Sequence, residues 1–450
     1  MKVIFPSKKK LHFIGIAGSG MYPLACFLKK AGNFISGSDR SFDNGQCEQI
    51  KNLLIGHGIK IFAQDGQFTA AKCDSAIYSG AIEETIPDYK TAKKNNIPLI
   101  KRSEMLSSLI SSVPGAAISG TSGKSTTAGM LFHIMKESGK DVSFISGGKL
   151  IGGASFNFGE YPFLIIEADE SDGSLINYYP ETGVILNLSK DHMEISKLLE
   201  QFKSFISNSK KNVVLPRDLN IAREQNNINR VIYNNPAHFS ILERRRDYCI
   251  IEYKKERFTL NLPGKHNILN CLAALAAAEL HGINPRQGAR AMSCFPGVER
   301  RLEKIFSAEK IDVFDDFAHN PDKISSSLDS IIPYYDQVII IYQPHGYRPT
   351  KLLFKEIVQS FTRRLRQQDT LYLLPIYYAG GTAEKHISSG DIAREVLKYN
   401  IKSEITSRET LLKSINFHDG KSAVILMGAR DPSLPEFARQ IAKQCEILSQ

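Results

Sequence analysis

The sequence predicts an α/β protein built from three successive units, each with a parallel β-sheet covered by helices. Short apolar runs typical of buried strands alternate with helical patterns along the whole chain, which is the order that βαβ units require. Small or polar residues follow most of these runs, and open α/β sheets bind ligands beyond the C-terminal ends of their strands. A chain of 450 residues exceeds the usual size of one domain, so we expect two or three domains.

Composition excludes several classes of protein. The net charge is +10, but the only tight basic runs are Lys8–Lys10 and Arg244–Arg246, so no basic, aromatic-studded face for nucleic acid is predicted. Such a charge favours small anionic substrates. The longest apolar runs are far shorter than the roughly 18 residues of a membrane span, and residues 1–10 lack the apolar segment of a secretory signal. We therefore expect a cytoplasmic protein without membrane insertion.

The seven cysteines are scattered and include no Cys-x-x-Cys pair. An odd, unpatterned set of this kind indicates reduced thiols rather than a disulfide framework or a zinc site.

The first segment, residues 1–112, opens with a βαβ pattern. A strand is predicted at Leu11–Ile14, a helix at Met21–Ala31 and a second strand at Phe34–Ser38, after which Asp39 follows. The glycine spacing between the first strand and the helix is G-x-x-G-x-G, which differs from the dinucleotide fingerprint, so the pattern fits NAD weakly and another nucleotide diphosphate equally well. The turn and helix start comprise Gly15, Ile16, Ala17, Gly18, Ser19, Gly20 and Met21.

Two further strands are predicted in this segment, and each ends at a polar residue. Ser79 follows one and Arg102 follows the other. A binding role and a purely structural role are both compatible with these two residues.

The central segment, residues 113–298, contains a phosphate-loop pattern. A buried strand at Ala116–Ile118 leads into a turn, and we expect a helix from Thr126. Glycines in the turn allow successive N–H groups to point at one anion, and the helix N-terminus adds positive potential. Isoleucine occupies position 118, where the strict pattern has glycine, so this is a shortened variant. The predicted nucleotide triphosphate site comprises Gly120, Thr121, Ser122, Gly123, Lys124, Ser125 and Thr126.

Acidic residues follow the next strand of this segment, Phe163–Ile166. Four carboxylates lie within Glu167–Asp172, and their mutual repulsion calls for a compensating cation or hydrogen-bond donors. Hard oxygen ligands suit Mg²⁺, although an acidic solvated loop remains an alternative. A later strand, Thr182–Leu186, runs towards Asp191 and His192. His192 is a candidate metal ligand or orienting group, and a structural histidine is the alternative.

A helix with an amide and an imidazole at its start is predicted at Ile268–His281. His266 and Asn267 precede it, and they can either hydrogen-bond a purine edge or cap the helix.

The last segment, residues 299–450, begins with a predicted hinge at Glu299–Glu303. A strand followed by a polar turn and a helix is predicted over Ile311–Pro321, and further strands are predicted at Val338–Tyr342, Thr370–Leu374 and Ala423–Met427. Polar clusters follow the first two of these strands and contain His319 and His345.

Taken together, these stretches resemble the Mur ligases, the ATP-dependent amide ligases of peptidoglycan precursor synthesis. The resemblance covers nearly the whole chain in the family's motif order, and that order is more specific than any single motif. It is carried by Gly15–Met21, Gly37–Asp39, Gly120–Thr127, Glu167–Asp172, Asn187 with Asp191–His192, Gly264–Asn267, Arg300–Arg301, Asp315–Pro321 and Gln343–His345.

The resemblance implies three domains and a reaction. Residues 1–112 would form a Rossmann-like domain for the UDP-sugar, residues 113–298 a P-loop ATPase-type domain for ATP, and residues 299–450 a Rossmann-like domain for the amino-acid acceptor. ATP would phosphorylate the lactyl carboxylate of UDP-N-acetylmuramate, and an amine would attack the acyl phosphate to form an amide. A monomer or homodimer acting on small molecules is expected.

The resemblance also implies residue roles. Lys124 would neutralise the transferring phosphoryl group, and Ser125, Glu167 and His192 would hold Mg²⁺. Further implied contacts are His266, Asn267, Arg301 and Asp316 with ATP; Gly15 to Met21, Ser38, Asp39 and Ser79 with the sugar nucleotide; and His319, His345 and Arg348 with the acceptor.

Departures from the family pattern concern mainly the acceptor. The phosphate loop has Ser122 and Ser125 where the family usually has histidine and threonine, and serine still supplies a hydroxyl for Mg²⁺. Phe317–Pro321 replaces Tyr-Gly-His-His-Pro, so that Asn320 stands at the second histidine. Gly346 replaces an arginine that can pair with an amino-acid carboxylate, and Arg348 is the possible substitute.

Three possibilities for the acceptor remain open. The acidic motif and Gln343–His345 favour the branch of the family that adds L-alanine, whereas Arg300–Glu303 and Asp315–His319 look more like the recycling branch that adds a tripeptide; a divergent acceptor is a third option. Two other classes are weaker. An NAD-dependent oxidoreductase leaves Gly120–Ser125 unexplained, and a nucleotide-dependent regulator predicts ATP hydrolysis that no UDP-sugar stimulates.

Overall fold

A computed structural model of the chain describes residues 7–68, 73–189, 194–219, 221, 228–378, 386–415, 417 and 420–448. The chain divides into two compact units. The first runs to Ile241 and includes Ile251–Leu260 and Ile268–Pro296, and the second comprises Leu242–Ile250, Asn261–Asn267 and the chain from Gly297 onward.

The first sheet has five strands in the order β3-β2-β1-β4-β5, and its neighbours pair in parallel. Its strands are β1 Lys10–Ile14, β2 Phe34–Ser38, β3 Lys60–Phe62, β4 Ser75–Tyr78 and β5 Leu99–Lys101. The helices between and after them are α1 Met21–Lys30, α2 Arg40–Asp43, α3 Glu48–Gly56, α4 Pro87–Lys94 and α5 Arg102–Ser112. The order of strands reverses next to β1, so the loop after β1 lies at a switch point where such sheets bind ligands.

The second sheet has seven strands in the order β12-β11-β10-β6-β9-β7-β8. These are β6 Gly115–Ser119, β7 Val142–Ile145, β8 Phe156–Asn157, β9 Tyr161–Glu167, β10 Thr182–Ile185, β11 Asn212–Leu215 and β12 Asn229–Ile232. The segments between them form α6 Lys124–Glu137, a 3-10 helix at Ser174–Asn177 and α7 Ile195–Asn208. All five residues of β6 are buried, as expected for the central strand of a sheet covered on both faces.

A small three-stranded sheet follows, in the order β13-β14-β15. It comprises β13 Phe239–Arg244, β14 Cys249–Tyr253 and β15 Glu256–Leu260, and it is followed by α8 Lys265–Glu279 and α9 Pro285–Ser293. Lys254 and Lys255 join β14 to β15 and both have positive φ, 48° and 72°, which is the geometry of a two-residue hairpin turn. Neighbouring strands so joined run antiparallel.

The last sheet has six strands in the order β16-β17-β21-β18-β19-β20, of which only β16 is antiparallel to its neighbour. The strands are β16 Glu303–Ser307, β17 Ile311–Asp316, β18 Gln337–Gln343, β19 Thr370–Leu373, β20 Lys402–Ile405 and β21 Ser422–Gly428. The helices are α10 Pro321–Ile331, a 3-10 helix at Ile332–Tyr334, α11 Tyr347–Leu352, α12 Phe354–Thr362, α13 Ser389–Leu397, α14 Arg408–Ser414 and α15 Leu434–Leu448. Separate apolar cores cover its two faces.

The predicted α/β class with parallel sheets is confirmed, with three local corrections. The sequence did not predict the β13–β15 sheet. The sheets were expected to be parallel, but the edge strands β8 and β16 are antiparallel to their neighbours. Helix α6 begins at Lys124 rather than Thr126, and α8 begins at Lys265 rather than Ile268. Both helices start directly after a glycine with positive φ, Gly123 at 88° and Gly264 at 91°, since the left-handed residue itself ends the preceding turn. None of the described helices is long and apolar enough to cross a membrane.

Candidate functional site

The turn after β6 is fixed by two glycines and one asparagine. Gly120 and Gly123 have φ of 130° and 88°, a region that disfavours any residue with a Cβ. A Cβ at Gly123 would also overlap the side chain of Asn270 on α8. The side chain of Asn187 donates to the Ser122 carbonyl and accepts from the Ser122 amide, each at 2.9 Å. The turn is therefore held in one conformation at the N-terminus of α6.

Lys124 is the first residue of α6, and its ammonium lies among oxygen acceptors. Its Nζ is 2.8 Å from the Gly120 carbonyl, 2.7 Å from Glu170 Oε2 and 3.7 Å from Asp169 Oδ1. Burial alone would lower the pKa of Lys124, but Glu170 and Asp169 outweigh burial and raise it. Burial likewise disfavours the Asp169 carboxylate, yet Lys124 and the Ser171 amide bring its pKa down to about 2. Lys124 thus stays charged at the sheet edge.

Burial has the largest effect on the pKa of Glu170, the third charged residue of this group. The pKa of Glu170 is raised because desolvation exceeds the attraction of Lys124.

The neighbouring hydroxyl and carboxylate form a second arrangement of oxygens. Ser125 Oγ donates to Glu167 Oε2 at 3.0 Å. The other oxygen of Glu167 accepts from the Ser146 hydroxyl and, at 2.8 Å, from the Gly147 amide. One face of the carboxylate is therefore fixed by β7 and its following turn, while the other points towards Ser125. The sequence did not predict that Ser146 contacts Glu167, because no local pattern around Ser146 indicates a contact with a carboxylate 21 residues later.

This donor set suits Mg²⁺ in chemistry, because a hydroxyl and an oriented carboxylate are hard oxygen ligands. Within the described residues, no cluster of three or more histidine, cysteine, aspartate or glutamate side chains is arranged to hold a metal ion. The proposed third ligand, His192, lies outside the described residues together with Asp191.

The loop after β1 packs on the end of β2. The amides of Gly15 and Ile16 donate to the Ser38 carbonyl at 2.9 and 3.1 Å. Asp39 accepts from the Ala17 amide through one oxygen and from the Ser41 amide through the other, each at 2.9 Å. The Asp39 side chain therefore ties the glycine loop to the start of α2.

A buried polar network lies beneath this loop, and the sequence analysis did not foresee it. The Ser38 hydroxyl donates to Asp88, which is fully buried on α4. His12 on β1 lies 3.2 Å from the same Asp88 oxygen and stacks on Phe68 with ring centroids 4.0 Å apart. A lone histidine in an apolar strand and an aspartate 76 residues later gave no signal of this pairing.

Arg102 borders the same loop, whereas Ser79 lies in the turn after β4. A Cβ at Gly20 would lie 2.5 Å from Arg102 Nη1, so the guanidinium rests directly on the Gly20 backbone. Its Nη2 is 4.0 Å from Asp169 Oδ2. The Ser79 hydroxyl accepts from the Ala81 amide at 3.1 Å. Arg102 thus connects the glycine loop of the first sheet with the acidic end of β9.

Adjacent arginines in the second unit have different surroundings. Arg300 has φ of 58°, and its guanidinium lies 3.2 Å from Asp315 Oδ2 and donates to the Gly428 carbonyl at 2.7 Å. Both guanidinium groups lie over the Phe317 ring, with Cζ of Arg300 5.2 Å and Cζ of Arg301 4.8 Å from its centroid. Arg300 is therefore held by the ends of β17 and β21 in addition to the aromatic face that it shares with Arg301.

Asp316 is buried at the end of β17. It accepts from the Ser327 hydroxyl and, at 3.3 Å, from the Leu302 amide. Burial raises its pKa, partly opposed by the Ser327 hydrogen bond and the charge of Arg301.

His319 and His345 lie next to each other beyond β17 and β18. Their ring centroids are 5.1 Å apart at an angle of 65°, and His319 Nδ1 is 2.8 Å from the Phe317 carbonyl. Gly346 follows with φ of 70° and is the N-cap of α11, on which Arg348 is exposed. Asn320, the other departure, caps α10 by accepting from the Lys323 amide at 2.9 Å, a position at which asparagine is strongly favoured.

His266 and Asn267 open α8. Asn267 is buried and donates to the Pro263 carbonyl at 2.8 Å. Burial lowers the pKa of His266 to about 4, and its Nδ1 is 3.4 Å from the Ser330 hydroxyl. His266 is thus neutral at physiological pH.

The predicted site residues fall into two groups. In the first unit, the structure brings the phosphate loop, Glu167 and the acidic segment together, with Arg102 joining them to the glycine loop. In the second unit, Arg301 and Asp316 lie at the Phe317 turn, as does His319 beside His345.

Family models match most of the chain. Residues 10–113 match the catalytic domain of the Mur ligase family, residues 118–278 match the Mur ligase middle domain, and residues 300–430 match the Mur ligase glutamate ligase domain.

Similar curated proteins and solved structures come from the same family. A UDP-N-acetylmuramate–L-alanine ligase of Vesicomyosocius okutanii is 32% identical over 98% of both chains, and one of Dictyoglomus turgidum is 33% identical over 86% of both. The crystal structure of UDP-N-acetylmuramate-alanine ligase MurC from Thermotoga maritima matches with a TM-score of 0.79 at 22% identity, over 98% of this chain and 99% of that one. A murein peptide ligase of Psychrobacter arcticus matches with a TM-score of 0.65 at 20% identity, over 98% and 99%.

Matching family models along the chain, relatives of at least 30% identity over nearly its full length, and the phosphate-loop geometry agree. The chain therefore belongs to the Mur ligase family of ATP-dependent ligases.

Proposed function

We propose that this protein joins L-alanine to the lactyl carboxylate of UDP-N-acetylmuramate through an acyl-phosphate intermediate. The observation that carries the reaction type is the convergence of the Lys124 ammonium, the Ser125 hydroxyl and the Glu167 carboxylate at the N-terminus of α6. The names of the curated relatives support the two substrates. We propose that it acts on these small molecules as a monomer or homodimer.

Three domains divide the work in this proposal. Residues 1–112 bind the UDP-sugar, residues 113–298 bind ATP, and residues 299–450 bind the acceptor. The family models support this division, since their boundaries fall at 113–118 and 278–300.

Phosphoryl transfer takes place at the N-terminus of α6 in this proposal. The turn Gly120–Ser125 and the positive end of α6 face the phosphates of ATP in this scheme, and Lys124 neutralises the charge of the γ-phosphoryl group as it moves. Ser125, Glu167 and His192 are the proposed Mg²⁺ ligands, and Mg²⁺ would supply further charge neutralisation there. Ser146 keeps the Glu167 carboxylate oriented towards Ser125.

In this scheme, the start of α8 and the Phe317 turn bind the adenine and the ribose of ATP. His266 is neutral because burial lowers its pKa to about 4. Its Nδ1 faces the Ser330 hydroxyl, so Nε2 is the ring nitrogen proposed to contact a purine. The Asn267 amide nitrogen is engaged by Pro263, which leaves its oxygen to accept from the adenine. Arg301 and Asp316 are the other proposed contacts with ATP.

The sugar nucleotide belongs to the glycine loop. The loop Gly15–Met21 and the N-terminus of α1 face the diphosphate in this proposal. The amides of Gly15, Ile16 and Ala17 fix the loop by donating to Ser38 and Asp39. Ser38 and Ser79 line the same strand ends. Arg102 supplies positive charge beside Gly20.

The residues at which this chain departs from the family pattern lie mainly in the proposed acceptor site. His319, His345 and Arg348 are the proposed contacts. Gly346 has φ of 70°, so the family arginine at this position would be strained here, and recognition of the acceptor carboxylate must rely on another cation. This observation keeps the tripeptide, whose carboxylates lie elsewhere, as the second candidate.

A coupled assay of phosphate release tests the proposal. Purified protein receives ATP, Mg²⁺ and UDP-N-acetylmuramate, and single amino acids and then the tripeptide are added. Phosphate release that depends on both the sugar nucleotide and L-alanine supports the proposal. Release with the tripeptide alone would replace L-alanine by the recycling substrate, and release that ignores the sugar nucleotide would refute the ligase reaction for this chain.

A further inference from the structure

Amide formation requires an amine without its proton. At neutral pH the amino group of an amino acid is largely an ammonium ion, which has no lone pair with which to attack a carbonyl carbon. A ligase of this class therefore gains from a base beside the acceptor.

The hydrogen bond of His319 fixes which of its nitrogens is basic. Nδ1 lies 2.8 Å from the Phe317 carbonyl oxygen. A carbonyl only accepts hydrogen bonds, so Nδ1 must carry the proton and donate. In the neutral ring, Nε2 then carries the lone pair. None of the residues that the structure describes hydrogen-bonds to Nε2.

The backbone around His319 is held on both sides. Tyr342 on β18 donates its hydroxyl to the His319 carbonyl at 3.1 Å. The next residue, Asn320, caps α10. The ring itself stands edge-on to Phe317 with centroids 5.5 Å apart. Because its backbone and its Nδ1 are both anchored, the imidazole presents Nε2 in one direction.

Burial and nearby cations keep the ring neutral. Burial is the main cause that lowers the pKa of His319 well below its usual value, and Lys323 on α10, His345 after β18 and Arg301 before β16 lower it further. The Phe317 hydrogen bond acts in the opposite direction. The Nε2 lone pair of His319 is therefore available at neutral pH.

We propose that Nε2 of His319 is the general base that removes a proton from the acceptor ammonium, an inference that rests on the proposed ligase function. The proton moves from the ammonium to Nε2, giving the free amine and an imidazolium. The amine lone pair then forms the C–N bond at the acyl phosphate, and the C–O bond to phosphate breaks. The second N–H proton leaves with the phosphate, and the imidazolium returns its proton to solvent.

Substitution of His319 by asparagine separates this role from a structural one. The asparagine amide can still donate to the Phe317 carbonyl, but it has no basic nitrogen. His238→Asn is the matched control, because His238 is an exposed histidine outside the proposed site. Two reactions are measured for wild type and both variants: the formation of amide with L-alanine, and the capture of the acyl phosphate by hydroxylamine, which is largely unprotonated at neutral pH and needs no base.

The expected result is selective loss of one reaction. His319→Asn should form amide roughly 10²- to 10⁴-fold more slowly than wild type, while hydroxylamine capture stays within a factor of about two. The remaining amide formation should rise with pH in proportion to the free amine. His238→Asn should match wild type in both reactions.

Other results overturn the inference. Equal amide formation by His319→Asn and wild type would exclude a base at this position. Loss of hydroxylamine capture together with amide formation, in a variant whose circular dichroism is native, would instead place His319 in the first half-reaction. If wild type captured no acyl phosphate, the proposed ligase function itself would fail and the base with it. His319→Gln, which places an amide nearer to Nε2, repeats the test if the asparagine variant does not fold.

Discussion

Replacement of Lys124 by methionine tests how the protein stabilises the charges at the start of α6. The change removes the ammonium and keeps most of the apolar side chain. Glu170 and Asp169 then face each other without the cation that lies 2.7 and 3.7 Å from them. The side chains of Lys124 and Glu170 are 16% and 8% exposed, so water compensates little.

The expected cost follows from the burial of this group. Removing one partner of a buried ion pair typically destabilises a protein by about 3–5 kcal/mol, since the remaining charge stays desolvated. Glu170→Gln in the same chain should recover much of that loss, because it removes the uncompensated carboxylate. Phosphoryl transfer should nevertheless remain lower by several orders of magnitude in Lys124→Met and in the double variant, since both lack the ammonium that neutralises the γ-phosphoryl group.

The pH dependence of this cost has a defined sign. The pKa of Glu170 is already raised by burial, and loss of Lys124 raises it further. A carboxyl whose pKa is higher in the folded than in the unfolded state binds more protons when folded, so its penalty grows as pH rises through the folded pKa. Lys124→Met should therefore lose most stability at alkaline pH and least below the ordinary pKa of glutamate.

Urea denaturation measures these effects. Midpoints and slopes are compared for wild type, Lys124→Met, Glu170→Gln and the double variant at several pH values. If the double variant were no more stable than Lys124→Met, the buried ion pair would not be the source of the loss. Wild-type rates of acyl-phosphate formation in Lys124→Met would refute its catalytic role.

The remaining predictions concern a carboxylate support, a backbone conformation and a buried histidine. Ser146→Ala should raise the Mg²⁺ concentration for half-maximal activity by roughly tenfold, because loss of a partner that orients a metal ligand costs about that much; an unchanged Mg²⁺ titration would contradict Glu167 as ligand. Gly346→Arg and Gly346→Ala should both lose about 1–2 kcal/mol in urea denaturation from the positive φ, and the arginine should not lower KM for L-alanine; a lower KM with arginine alone would show that its guanidinium reaches the acceptor. Burial lowers the pKa of His281 from 6.5 to about 4, so the unfolded state binds more protons in that interval and stability should fall by about 3 kcal/mol as pH drops through it. His281→Gln should flatten this slope in pH-dependent urea denaturation, and an unchanged slope would assign it to other groups.

The class of fold and the positions of the site segments could be predicted from local patterns. Apolar runs with glycine or polar residues after them place β1, β6, β9 and β18 correctly, because burial in a parallel sheet selects continuous apolar strands. Helix starts were less accurate. Lys124 belongs to α6 rather than to the turn before it, since the left-handed conformation of Gly123 decides the boundary and no local pattern reports φ.

The β13–β15 sheet was missed for a related reason. Residues of β13 are mostly exposed or partly exposed, so the strand lacks the apolar run by which buried strands are found. The hairpin turn between β14 and β15 contains Lys254 and Lys255 rather than the asparagine and glycine typical of such turns.

The sequence by itself determined the α/β class, the order of the motifs and the residue types that suit phosphoryl transfer, because each of these depends on neighbours a few positions apart. Only the tertiary structure decided which side chains act on one another. Glu167 with Ser146, Arg102 with Gly20 and Asp169, and the Nδ1 of His319 with a carbonyl are contacts set by the strand order and by the exact backbone geometry at strand ends. Hydrogen bonds and charges act over a few ångströms, so their partners become definite only when distant segments are folded together.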